Sequence, residues 1–121
     1  MTRTIIIDTV DHGPVELVEP GWCVGHGTEL GNLVFRSEIT HNSVRVKAGA
    51  TTEMYGWLPM MHARISWAPF VEQVPVVSVV LDVEGDFPAE DVPHVMQGLA
   101  DVIRRLDMVA TEAIRLRGEI R

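Results

Sequence analysis

Cys23 and His26 stand in one glycine-rich run, Pro20-Gly21-Trp22-Cys23-Val24-Gly25-His26. A Cys-x2-His spacing lets a thiolate and an imidazole reach one cation, because two intervening residues make a tight turn. His41 follows 15 residues after His26, at an expected strand end. His12 falls in an expected hairpin turn, and His62 opens another expected strand. A structural zinc site takes four ligands. The candidate set is therefore Cys23, His26 and His41, with His12 or else His62 as the fourth. A site with one thiolate is atypical, since structural zinc usually has two or more. The plainer reading makes Cys23 a small buried hydrophobe and the histidines loop residues bonded to backbone.

The same side chains admit a second chemistry. Cys23 as a nucleophile needs a base and an orienting group. His26 or His41 could be the base, with Glu38 or Asp8 to orient it. No spacing singles out that triad. Gly25, Gly27 and Gly31 suggest a phosphate loop only superficially. They lack the Lys-Ser/Thr ending, and the apolar run after them reads as a strand and not a helix. Met60, Met61 and His62 include soft copper(I) donors, but as a three-residue coincidence.

The elements that must position these groups follow from periodicity. Residues 4–10 are apolar and β-branched, and residues 15–19 resume after Asp11-His12-Gly13-Pro14. This predicts a β-hairpin with Ile5, Ile7, Val15 and Leu17 on one buried face. Residues 20–32 read as a loop. Strands are expected at 33–39, 44–47, 62–67 and, less clearly, 51–55. Residues 75–83 are the most apolar stretch, which predicts a central strand buried on both faces.

After residue 88 the period changes. Val92, Met96, Leu99, Ile103, Leu106, Ala110 and Ala113 step alternately by four and three. That rhythm predicts a long helix within 88–118. Pro88 or Pro93 suits its first turn, and Gly118 its end. The expected fold class is α+β: an antiparallel sheet of about five or six strands against one C-terminal helix. The expected organisation is one domain, with sheet and loops over 1–87 and the helix over 88–118. From Pro93 to Arg117 such a helix is about 37 Å long, close to the whole width of a domain this size. Val95, Val102, Val109, Ile114 and Leu116 widen its apolar face. A homodimer through the helix is the resulting expectation.

Met54, Tyr55, Trp57, Met60 and Met61 concentrate large adaptable side chains beside Gly56 and Pro59. They are the expected surface for a protein partner, unless they fold into the core.

Composition limits the function classes. Acidic residues outnumber basic ones 17 to 10, a net charge of −7, which disfavours a nucleic-acid surface. Arg104, Arg105, Arg115, Arg117 and Arg121 are better read as complementing a helix dipole. One cysteine permits no internal disulfide and suits a reducing compartment. The apolar run at the N-terminus is too short for a signal peptide, and no stretch approaches a membrane span. A cytoplasmic protein is expected.

The segments Asp11-His12-Gly13-Pro14-Val15 and Glu19-Pro20-Gly21-Trp22-Cys23-Val24-Gly25-His26 resemble a family of small uncharacterised proteins from actinobacteria and their phages. The likeness takes in a histidine near His41, a step like Pro69-Phe70, an apolar strand and a C-terminal helix, and so covers most of the chain. Its Trp-Cys-x-x-His core is short. The Met-rich segment around Tyr55 and Trp57, and the longer helix, depart from it. The resemblance implies a cytosolic bacterial or phage protein and brings no enzyme activity. It favours a non-enzymatic binding or regulatory protein, with a host protein as partner if the chain is phage-encoded. The alternative is a hydrolytic or metal-assisted enzyme using Cys23, His26 and His41.

Overall fold

The structure, a computed structural model, describes residues 3–26 and 34–119. The hairpin forms as expected. β1 (Arg3–Thr9) and β2 (Gly13–Glu19) pair antiparallel, with Ile5 opposite Leu17 and Ile7 opposite Val15. The predicted face is the buried one. Ile7 and Leu17 join Ile39 in a small core, flanked by Ile5, Val15 and Val34.

Residues 34–39 are not the expected strand. Val34 makes a single bridge to Thr9, and Arg36–Glu38 form a 3-10 turn. Local acceptors divert the backbone: Glu38 Oε1 takes the Phe35 N–H and Asp11 Oδ1 takes the Arg36 N–H. Gly27, Gly31 and Leu33 lie outside the described residues.

The remaining strands make a second antiparallel sheet. They are β3 (His41–Asn42), β4 (Val46–Thr52), β5 (Gly56–Trp67) and β6 (Val76–Leu81). β5 is its axis and pairs with the other three. The short strands expected at 44–47 and 51–55 are in fact one strand and a turn. Thr52 Oγ1 accepts the Tyr55 N–H, and Gly56 at φ 64° reverses the chain. Register slips at Ala48/Gly49: Ala48 faces Met61 and Gly49 faces Pro59. Met60 is the extra residue of a bulge. The slip turns Met60 and Met61 both inward, so they are core residues at 1% and 4% exposure and not a partner surface.

β6 corrects a second expectation. It is an edge strand beside β5, and Val76, Val79, Val80 and Leu81 are exposed. Val77, Val79 and Leu81 stand opposite Ile65, Ala63 and Met61, so they share the helix-facing side. Only Val77 is packed against the core.

After a 3-10 turn at Ala89–Asp91, α1 (Val92–Arg117) runs across the sheet with Pro93 in its first turn. Its buried stripe is Val95, Gly98, Val102, Val109, Ala113 and Leu116. The stripe Val92, Met96, Leu99 and Ile103, expected to face the core, is exposed. Gly98 allows the helix to rest directly on Ala50, since a Cβ there would lie 2.6 Å from the Ala50 Cβ. Gly118 follows at φ −67° and ends the helix without a left-handed cap. No described helix is long and apolar enough to cross a membrane.

Asp91 fastens the start of α1 to the β4–β5 turn. Its carboxylate accepts the N–H groups of Glu53 and Met54 at 3.0 and 3.2 Å, and lies 2.9 Å from His94 Nδ1. His94 first, then those N–H groups, hold its pKa below the ordinary 3.8. A depressed carboxylate stabilises the fold fully above its unfolded pKa and loses that effect as pH falls through the folded one. Asp91→Ala is therefore expected to lower the urea midpoint at pH 7. The gap from wild type should narrow as pH drops below 3.8. An equal gap at pH 7 and pH 2.5 would contradict this.

Candidate metal centre

Two segments converge where the hairpin meets the larger sheet. The loop after β2 turns back at Pro20, whose carbonyl accepts the Cys23 N–H. It then docks on β3 through the Val24 N–H and the Asn42 carbonyl, 2.9 Å apart. β3 is held in turn against the end of β5, His41 opposite Trp67. These pairings bring Cys23 and His26 against His41.

The ligand atoms of Cys23, His26 and His41 all lie within 4.8 Å of one another. His26 Nε2 is 3.5 Å from Cys23 Sγ and 3.2 Å from His41 Nδ1. At that separation at least one of the two facing nitrogens carries no proton. Both imidazoles are buried. The His41 ring lies 6.3 Å from that of Trp22, edge-on, and 5.7 Å from that of Trp67. Burial, with the His26 charge behind it, lowers the His41 pKa to about 4. Its imidazole is neutral at pH 7 and keeps a lone pair for a metal. Burial also raises the Cys23 pKa, against the backbone N–H groups of Gly25 and Asn42. Without a cation the thiol stays protonated, unlike an activated nucleophile.

Glu19, at the end of β2, borders this group through His26 without being one of the three mutually close ligand residues, and sequence spacing does not single it out. Its Oε1 lies 3.4 Å from His26 Nε2, and its Oε2 pairs with Arg3 Nε. Burial pushes its pKa up, but Arg3, Cys23 and His26 together outweigh that and hold it below normal. The sequence did carry a signal. Val15, Leu17 and Glu19 alternate on the inward face of β2, which puts a carboxylate where a hydrophobe belongs.

The other predicted residues go elsewhere. His12 stands exposed at the hairpin turn, its Nδ1 2.9 Å from Asp11 Oδ2. His62 pairs across the sheet with Lys47 and lines a cavity with Trp57 and Val80. Neither belongs to the group formed by Cys23, His26 and His41. Met54, Tyr55 and Trp57 are exposed at the β4–β5 turn, although the Tyr55 hydroxyl donates to the Asp86 carbonyl at 3.1 Å. A cavity of about 570 Å³ between α1 and the sheet is lined by Trp22, Val44, Val46, Met108 and Leu116, among others. It shares Trp22 with the cluster, but Cys23, His26 and His41 do not line it.

Neither a curated protein nor a solved structure gives a match to this chain. A family model does match, over residues 4–121. The chain belongs to the family described as Domain of unknown function (DUF6907).

Proposed function

We propose that the chain is a small non-enzymatic binding or regulatory protein in which Cys23, His26 and His41 hold a structural zinc ion. The observation that carries this is the convergence of one thiol and two imidazoles, their ligand atoms all within 4.8 Å. Zinc accepts this sulfur and nitrogen set. The neutral His41 ring suits it, because ligands must bind deprotonated. A hydrolytic or metal-assisted enzyme would need the same three groups in an open cleft with a vacant coordination position. Buried histidines beside Trp22 and Trp67 favour the structural role.

In this reading the ion ties the loop after β2 to the larger sheet and steadies the surfaces that a protein partner meets. Two are apolar and exposed. One is Met54, Tyr55 and Trp57; the other is Val92, Met96, Leu99 and Ile103 on α1. The second suits another copy of the chain. A light-scattering mass of one chain at micromolar concentration would remove that partner. The protein acts as one domain in the cytoplasm of an actinobacterium or of a cell infected by its phage, where the partner is a host protein. Its acidic charge makes nucleic acid a poor ligand.

Elemental analysis tests the metal directly. Gently purified protein is expected to carry about one zinc per chain, and Cys23→Ser much less. A wild-type content near zero, unchanged on reconstitution with zinc, would end the proposal.

A further inference from the structure

Glu19 presents an unusual oxygen. Its side chain is 4% exposed. Oε2 is occupied by Arg3, while Oε1 is buried and, among the described residues, has no hydrogen-bond partner. An ionised oxygen left so is costly, yet the fold points it at the metal cluster, 3.4 Å from His26 Nε2. His26 Nε2 in turn lies 3.5 Å from Cys23 Sγ and 3.2 Å from His41 Nδ1.

We propose that Glu19 Oε1 is the fourth ligand of a closed, four-coordinate site for a zinc-like divalent cation, with Cys23 Sγ, His26 Nε2 and His41 Nδ1. This rests on the metal reading above and adds to it the ligand that seals the site. Three arguments support it. The first is charge. A dication held by one thiolate and two neutral imidazoles leaves a net positive charge in a buried place, and a buried unbalanced charge is strongly disfavoured. The Glu19 carboxylate brings the sum to zero. The second is position. Glu19 at the end of β2 and the Cys23–His26 loop that follows it approach from one segment, and His41 on β3 approaches from another, so the donors meet from different elements. The third is the outer contact. Arg3 on Oε2 orients the carboxylate and leaves Oε1 for the metal, as second-shell partners do. Four protein ligands leave no position for an activated water, so Glu19 is also what separates a structural site from a catalytic one.

Cobalt(II) titration of the full chain tests this, because its visible spectrum reports coordination number. Wild type is expected to give the intense visible bands of a four-coordinate ion and a near-ultraviolet thiolate charge-transfer band. Glu19→Gln should keep the thiolate band, since Cys23 still binds. Its visible bands should weaken as water enters, and its affinity should fall by about 100-fold or more, beyond the effect of an outer-shell change. Glu19→His restores a donor and should recover the four-coordinate spectrum. It decides the matter alone if the Gln variant does not fold. A Gln variant with wild-type spectrum and affinity overturns Glu19 as a ligand and leaves the metal site standing. A His variant whose spectrum stays that of an open site does the same. Wild type that binds neither cobalt nor zinc overturns both proposals.

Discussion

Zinc at a thousandfold excess over its dissociation constant is expected to stabilise the fold by about 4 kcal/mol, a rise in melting temperature of roughly 12–20 °C for a chain of this length. His41→Ala should lose most of that rise, read as its own midpoint in zinc against its own midpoint in chelator, because deleting a buried ring packed on Trp22 and Trp67 also lowers the chelator midpoint. Two of the hydrophobic clusters among the described residues are built by different elements. Ile7, Leu17 and Ile39 form one beneath the hairpin. Met60, Ala63, Val102 and their neighbours form another beneath α1. The proposed ligands span the seam, with Glu19 on the hairpin, Cys23 and His26 on the loop, and His41 on β3. In the unfolded chain the same groups are scattered, so the ion favours the folded state almost wholly. Without metal, the fold still carries a buried carboxylate oxygen that meets no hydrogen-bond geometry among the described residues, with His26 Nε2 3.4 Å away. Thermal unfolding with zinc and with chelator measures the difference. Equal midpoints in the two, or an undiminished zinc response in His41→Ala, would contradict the expectation.

The sequence disclosed the elements better than their faces. The hairpin was legible because β-branched alternation and turn residues agree with each other. The helix was legible as a helix, but its buried side was not. Two apolar stripes run along it, one through Val92, Met96, Leu99 and Ile103 and one through Val95, Val102, Val109 and Leu116. Periodicity establishes both without saying which meets the sheet. The deciding residue is Gly98, small and in line with the second stripe, which marks the side of close approach. The run at 75–83 misled for a related reason. Continuous valines describe either a strand covered twice or an edge strand with an uncovered face, and only the partner strands distinguish the two. At the candidate site, Cys23, His26 and His41 were legible because a short spacing constrains the first two and a strand end positions the third. Whether His12 or His62 could join them depended on tertiary distances that spacing does not contain. Glu19 escaped because a carboxylate in a strand resembles an ordinary solvent-facing residue until its parity with Leu17 is noticed.

Gly98→Ala is expected to destabilise the fold by about 1–3 kcal/mol, although the same change on an exposed helix would stabilise it by about 1 kcal/mol. The sign is set by what the new methyl meets. Its Cβ would stand 2.6 Å from the Ala50 Cβ and 3.0 Å from the Ala50 Cα and backbone N. Those atoms belong to β4, whose backbone is tied to β5 on one side of Ala50, opposite Leu58. No flexible side chain can move away, so either α1 lifts or β4 bends. Lifting α1 would loosen Val95 and Val102, its nearest buried neighbours in the stripe. Changing Ala50 to Gly removes the closest of the three contacts and leaves the two at 3.0 Å. The double variant should therefore recover only part of the loss, because Gly in a strand costs about 0.5–1 kcal/mol itself. Urea unfolding of wild type, both single variants and the double variant gives the coupling energy, expected at about 0.5–3 kcal/mol. If the two changes simply add, or if Gly98→Ala alone raises the midpoint, the helix does not rest on Ala50 and the buried stripe is wrongly assigned. A positive coupling fixes the face of α1 on the sheet and thereby leaves Met96, Leu99 and Ile103 on its open side, where a partner can reach them.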